Sequence, residues 1–158
     1  MAFSGSKLFR ILTADDPSAA YTGPVRAEYR LDAEYSDTSA KMIHFLDSPI
    51  GASATLPVNL QSLTDAFGDS ISATGVYTMM IESSSSNAGA IHLTPGASNG
   101  WTGFLSDVSD IAIIEPGSRI VLDDTTGIEV SASSRVLNIT NTVGTAATVS
   151  VLLVLKTS

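Results

Sequence analysis

Along residues 25–35 apolar and polar positions alternate strictly: Val25, Ala27, Tyr29, Leu31, Ala33 and Tyr35 against Arg26, Glu28, Arg30, Asp32 and Glu34. A period of two places the apolar groups on one face of a β-strand. Pro24 would also suit the first turn of a helix. A helix, however, would stack Arg26 on Arg30 and Glu28 on Asp32, each like-charge pair costing about 0.2–0.5 kcal/mol. In a strand the outer face reads mostly opposite charges at neighbouring positions. The strand is the better reading on both counts.

Similar short apolar runs recur. Residues 41–46 read as a strand closed by Asp47, Ser48 and Pro49, and residues 75–82 read as another, followed by a serine-rich loop ending at Asn87. Residues 90–93 resume an extended pattern up to Pro95. Leu60, Leu63 and Phe67 fall at helical spacing, with Asn59 as N-cap and Gly68 as stop, and predict one short helix over 59–67. From Ile111 the punctuation is that of a meander: strands at 111–114, 119–122, 128–130, 136–140 and 147–155. The intervening turns are Glu115-Pro116-Gly117, Asp123 to Gly127, and Asn141 to Gly144. In the last strand both faces are apolar through Val149, Val151, Leu152, Leu153, Val154 and Leu155. Such a strand is central in a sandwich or covered by another subunit. The expected fold is all-β: an antiparallel β-sandwich, jelly-roll-like, with one short helix. Residues 1–20 are expected to form an N-terminal arm or first strand, and residues 21–158 a single sandwich domain. The apolar patch Leu8, Phe9, Ile11 and Leu12 serves that first strand or docks on a neighbouring subunit.

Composition narrows the function. The chain has 158 residues, no cysteine, and a net charge of −8 from 8 basic and 16 acidic residues, which argues against a phosphate backbone as partner. With 15% charged residues, 44% hydrophobic ones and about a quarter serine plus threonine, the surface is polar but uncharged. No apolar run approaches the roughly 18 residues of a membrane-spanning helix, so no membrane partner is expected. No export signal is visible at the N-terminus, and the absence of cysteine fits a cytosolic site of synthesis.

Candidate chemistry is sparse. Residues 96–100 match G-x-S-x-G around Ser98, but His44 and His92 both precede the serine and no helix opening follows it. Each histidine is a lone residue in an apolar strand, which reads as sheet packing rather than metal ligation. The aspartate pairs Asp107/Asp110 and Asp123/Asp124 lack EF-hand spacing and suit turns better than calcium. No catalytic, cofactor-binding or metal-binding residue is assigned, no cofactor is expected, and the chain is not expected to be an enzyme. Trp101 with Phe104, in a glycine-rich loop, is a candidate for stacking on a sugar or filling a partner's pocket, or else folds back over the end of the sandwich. Leu152 and Val154 are the candidate contacts on the two-faced last strand.

Without cysteine, rich in serine, threonine and alanine, with short strands through 115–155 and an abrupt end on an apolar strand before Lys156, Thr157 and Ser158, the chain resembles the auxiliary head proteins of tailed bacteriophages. These are capsid decoration or cement proteins with jelly-roll-like folds. The resemblance implies a homotrimer on the virion surface that binds the major capsid protein and braces the shell, without a cofactor. The alternative is a carbohydrate- or receptor-binding β-sandwich module, as in a tail fibre, using Trp101 and nearby tyrosines.

Overall fold

The computed structural model describes the backbone of residues 7–12, 26–31, 40–64 and 70–157, and the side chains of 48–64 and 70–157. The chain divides into two compact units, Met1–Thr38 and Ser39–Ser158. In the first unit β1 (Lys7–Leu12) pairs antiparallel with β2 (Arg26–Leu31). The patch at Leu8, Phe9, Ile11 and Leu12 is therefore a strand, and the alternation that predicted one over 25–35 is realised at Arg26–Leu31. Within the first unit β2 finds its hydrogen-bonding partner in β1.

Among the described residues the second unit contains ten strands: β3 (Ala40–Ile50), β4 (Thr55–Asn59), β5 (Leu63–Thr64), β6 (Ser70–Ile71), β7 (Ala73–Ser83), β8 (Ile91–Pro95), β9 (Ala112–Ile114), β10 (Arg119–Glu129), β11 (Val136–Asn141) and β12 (Ala147–Thr157). Eight of them build two four-stranded antiparallel sheets, a first sheet ordered β10-β7-β12-β3 and a second ordered β4-β11-β8-β9. The short pair β5-β6 stands apart. One core serves both sheets. Val76, Met79, Ile81, Val149, Val151, Leu153 and Leu155 from the first sheet pack with Val58, Ile91, Leu93, Ile114, Leu137 and Ile139 from the second. β8, β11 and β12 contribute alternate residues to that core, as the pleat demands; β8, for instance, buries Ile91, Leu93 and Pro95 and turns His92 and Thr94 outward. The fold is an antiparallel β-sandwich, and its strand order is that of an eight-stranded jelly roll.

Three expectations need correction. Residues 59–64 are not helical: Asn59 ends β4, Leu60 and Gln61 turn, and Leu63–Thr64 is β5. Leu60 is buried through this turn, where its backbone N–H donates to Arg135 and its carbonyl accepts from Ala73, so tertiary pairing overrides the local spacing. The rest of the expected helix at 65–67 lies outside the described residues.

The region after Ile111 is also not a meander. Successive strands β9 to β12 pair with β8, β7, β4 and β8, and then β7 and β3, so the chain crosses between sheets at each step. Finally, residues 119–122 and 128–130 are not two arms of a hairpin. Ile128 and Glu129 pair with Val76 and Gly75 of β7, on the same strand as Arg119 to Asp123, and residues 124–127 bulge out of that strand. Asp124 holds the bulge by accepting hydrogen bonds from the Thr126 hydroxyl (2.6 Å) and the N–H groups of Thr126 (2.8 Å) and Gly127 (2.9 Å). Gly127, at φ +85°, supplies the left-handed residue the bulge requires.

Candidate contact surface

Of the two places the sequence offered, Trp101 takes the inward one, folded back on the sandwich. Its ring is fully buried at 0% exposure, with the indole N–H donating to the Glu129 carbonyl at 2.9 Å and the backbone N–H donating to Val136 at 2.8 Å. Phe104 lies tilted against it, ring centroids 5.8 Å apart, and is half-buried on the core. A Cβ at Gly103 would sit 2.4 Å from the indole, so glycine is what lets the chain close over the ring. Trp101 plugs the sandwich and presents no surface to a sugar or partner in this fold. Its last polar atom is satisfied internally, which is what a buried indole needs.

The turn at 96–100 feeds this plug. Asn99 takes a left-handed backbone (φ 56°), its carbonyl accepts from Arg135 and Val136, and Gly100 bridges to Val136. Ser98 is exposed on that turn, and the chain goes on into Trp101 and the core rather than into a helix. His92 is half-buried on the outer face of the second sheet, opposite Thr140 and Ile113. Asp107, Asp110 and Asp124 are occupied by their own turns, and Asp123 accepts from the Thr78 hydroxyl of β7 at 2.6 Å. Asp110 accepts from the N–H groups of Ser106 and Asp107 (both 2.9 Å), and Asp107 accepts from the N–H and hydroxyl of Ser109. The Ser109 N–H, aided by its hydroxyl, holds the Asp107 carboxyl below its ordinary range. The Thr126 hydroxyl, then the Thr126 and Gly127 N–H groups, do the same for Asp124. Among the described residues no group of three or more histidines or carboxylates gathers to hold a metal ion.

Leu152 and Val154 lie on β12, which is hydrogen-bonded on both sides, to β7 and β3. Its inner face (Val149, Val151, Leu153, Leu155) is in the core, while Leu152 and Val154 are half-buried on the outer face. There Leu152 stands opposite Met80 of β7, which stands opposite Val121 of β10. An apolar row thus crosses the outer face of the first sheet. The outer face of the second sheet differs: its register aligns Thr55, Thr140 and His92 in one row and Pro57, Asn138 and Thr94 in another, with the Thr55 and Thr140 hydroxyls 2.9 Å apart.

Leu8, Phe9, Ile11 and Leu12 do not share one face. In register Phe9 and Ile11 stand opposite Tyr29 and Ala27, while Leu8 and Leu12 stand opposite Arg30 and Arg26.

Sequence reading missed a second group altogether. Among the described residues the exposed large hydrophobics are Val108 (68%), Ile111 (54%), Ile113 (54%) and Val121 (48%). Ile113 is on β9, the outer strand of the second sheet, and Val121 is on β10, the outer strand of the first. The turn at 115–118, closed by the Ser118 N–H donating to the Glu115 carbonyl (2.9 Å), joins these two outer strands on one side of the sandwich. Val108 and Ile111 belong to the loop that leads into β9. Single exposed apolar residues are ordinary, but here all four fall on two outer strands joined by one turn and on the loop before them.

The chain matches no protein-family model, and no curated protein matches it.

Proposed function

We propose that this chain is a virion structural protein, a capsid decoration subunit that stabilises the head shell by docking on the major capsid protein, as a homotrimer on the virion surface. One observation carries this reading. The exposed large apolar side chains Val108, Ile111, Ile113 and Val121 all belong to β9, to β10 or to the loop before β9, the outer strands that the turn at 115–118 joins, whereas the rows through β4, β11 and β8 on the outer face of the second sheet are rich in hydroxyl and amide groups. A subunit that works by being held in place needs a stiff body and a sidedness of this kind. The net charge of −8 keeps it soluble before docking. The sugar-binding alternative rested on Trp101 and nearby tyrosines, and both the Trp101 ring and Tyr77 are buried.

The test is solution mass by light scattering, followed by co-sedimentation with particles assembled from the major capsid protein of the same virus. A species near three times 16.4 kDa that pellets with the particles is expected. Ile113→Asp combined with Val121→Asp should abolish pelleting while leaving the thermal midpoint unchanged. A monomer that never pellets, or a double variant that pellets like the parent, overturns the reading.

A further inference from the structure

The four outer strands of the sandwich are not equally protected. The outer strand β4 carries Pro57 in its middle, β3 carries Pro49 near its end, and β10 is interrupted by the bulge at 124–127. Proline and bulges are the usual means of stopping a further strand from pairing with an exposed edge. β9 (Ala112–Ile114) has no proline, no lysine and no bulge; shortness is its one protection. It pairs with β8 on one side only, through Ala112, Ile113 and Ile114. Ile114 points into the core at 1% exposure, while Ile113, and Ile111 two residues earlier, are more than half exposed.

We propose that β9 accepts an added β-strand from the docking partner, and that this strand is an extended apolar segment flanked by lysine or arginine. The proposal rests on the reading of the β9/β10 side as the docking surface and names how the partner is held. Main-chain hydrogen bonds to an open edge supply the affinity, and alternate side chains supply the selectivity. Ile111 and Ile113 offer the apolar positions for that alternation. Charge decides the flanks, and decides against a second copy of β9. Residues 102–118 contain Asp107, Asp110 and Glu115 and no lysine or arginine. Two copies of this edge would bring like charges together, whereas a basic segment is attracted. The nearest cation beyond the turn, Arg119, already faces Glu82 at 3.8 Å. Asp107 and Asp110 also fix the loop that leads into β9 through their bonds to Ser106, Asp107 and Ser109 N–H groups, so Val108 is presented on a defined turn.

The experiment titrates the isotopically labelled full chain with a short peptide of alternating valine and threonine bearing lysine at both ends. Controls are the same peptide with glutamate ends and with alternate backbone amides N-methylated. Saturable binding is expected for the lysine peptide, with slowed amide exchange confined to residues 111–114 and their neighbours. Binding should weaken by about tenfold or more with glutamate ends and disappear on N-methylation. Ile113→Asp, checked for an unchanged thermal midpoint, should lose binding.

Equal binding of the two charged peptides, binding without slowed exchange in β9, or no binding at all overturns strand addition. If the peptide fails but Ile113→Asp with Val121→Asp still abolishes co-sedimentation, strand addition falls and the docking surface stands. If the peptide binds as expected but that double variant still pellets, the docking reading falls instead.

Discussion

Three side chains show how much of this molecule is settled by single residues. Trp101 fills the end of the core and closes its own hydrogen bond on Glu129. Trp101→Ala is expected to cost about 3–5 kcal/mol in urea denaturation, the range for a large buried aromatic. A surface tryptophan would cost far less, so the same variant separates the plug from a sugar-stacking ring. Asn141, fully buried, donates through its side-chain amide to Thr145 (2.7 Å) and Gly51 (2.9 Å), and its side-chain oxygen accepts from Val143 (3.1 Å). Asn141→Ala strands those partners, and a loss of about 1–3 kcal/mol is expected in the same assay. Asp124 is half-buried, and its Oδ1 accepts from the Thr126 hydroxyl and from the Thr126 and Gly127 N–H groups, which lowers its pKa. A carboxyl whose folded pKa lies below its unfolded value stabilises the fold above the unfolded pKa, near 3.9, and loses that contribution as pH falls through the folded value. Carbon-detected titration of Asp124 should therefore place its midpoint below that of an ordinary aspartate. Asp124→Asn should remove that part of the acid dependence; a midpoint at the ordinary value would contradict the bonding described for the bulge.

At the scale of elements, β12 is the strand around which the first sheet is organised. It is paired along its length on both sides, so its backbone is satisfied and its two faces have different environments. Leu153→Ala, inside the core, should cost about 2–5 kcal/mol. Leu152→Ala, one residue along and half-buried on the outer face, should cost less than half as much in the same denaturation series. Equal losses would mean that the outer face is as tightly packed as the inner one. β10 illustrates the opposite case, an outer strand that is broken deliberately. Its bulge offsets the register between Asp123 and Ile128 and leaves Arg119, Val121 and Asp123 on the exposed side. The turn at 96–100 is equally constrained, because a Cβ on Gly100 would meet the Gly96 carbonyl at 2.4 Å. Both features are compact solutions to local geometry rather than sites with chemistry of their own.

Across the whole sandwich the asymmetry is what matters. One outer face carries a row from Thr55 through Thr140 and His92 to Ile113, the other carries the row Val121–Met80–Leu152, and the four exposed large apolar residues all fall on β9, β10 and the loop before β9. Nothing in a single folded subunit needs that distribution, since each exposed apolar side chain forgoes the benefit of burial, about 1.5–3 kcal/mol for a residue of this size. A docking partner that covers them recovers part of that benefit, less the cost of association. This is why the double substitution Ile113→Asp with Val121→Asp is expected to act on assembly and leave the isolated fold intact.

Alternation by itself determined that the chain is built of strands. The patterns at Arg26–Leu31, Ala73–Ser83, Ile91–Pro95, Val136–Asn141 and Ala147–Thr157 are each readable from apolar spacing, because a pleat that is half in a core must alternate. Strand partners were not readable in the same way. Residues 119–130 look like a hairpin because Asp124, Thr125, Thr126 and Gly127 form a turn-like run, and a bulge uses the same residue types for the same left-handed geometry. Thr55–Asn59 was overlooked because Pro57 argues against a central strand, yet a strand at the edge of a sheet tolerates it. Of the proposed contact residues, Leu152 and Val154 stand out in the sequence because both faces of their strand are apolar, whereas Ile113 sits in one apolar run, 111–114, and only the pairing of β9 with β8 separates its outward side chain from the buried Ile114. Which apolar residue is buried depends on what covers it, and that is decided by contacts far apart along the chain.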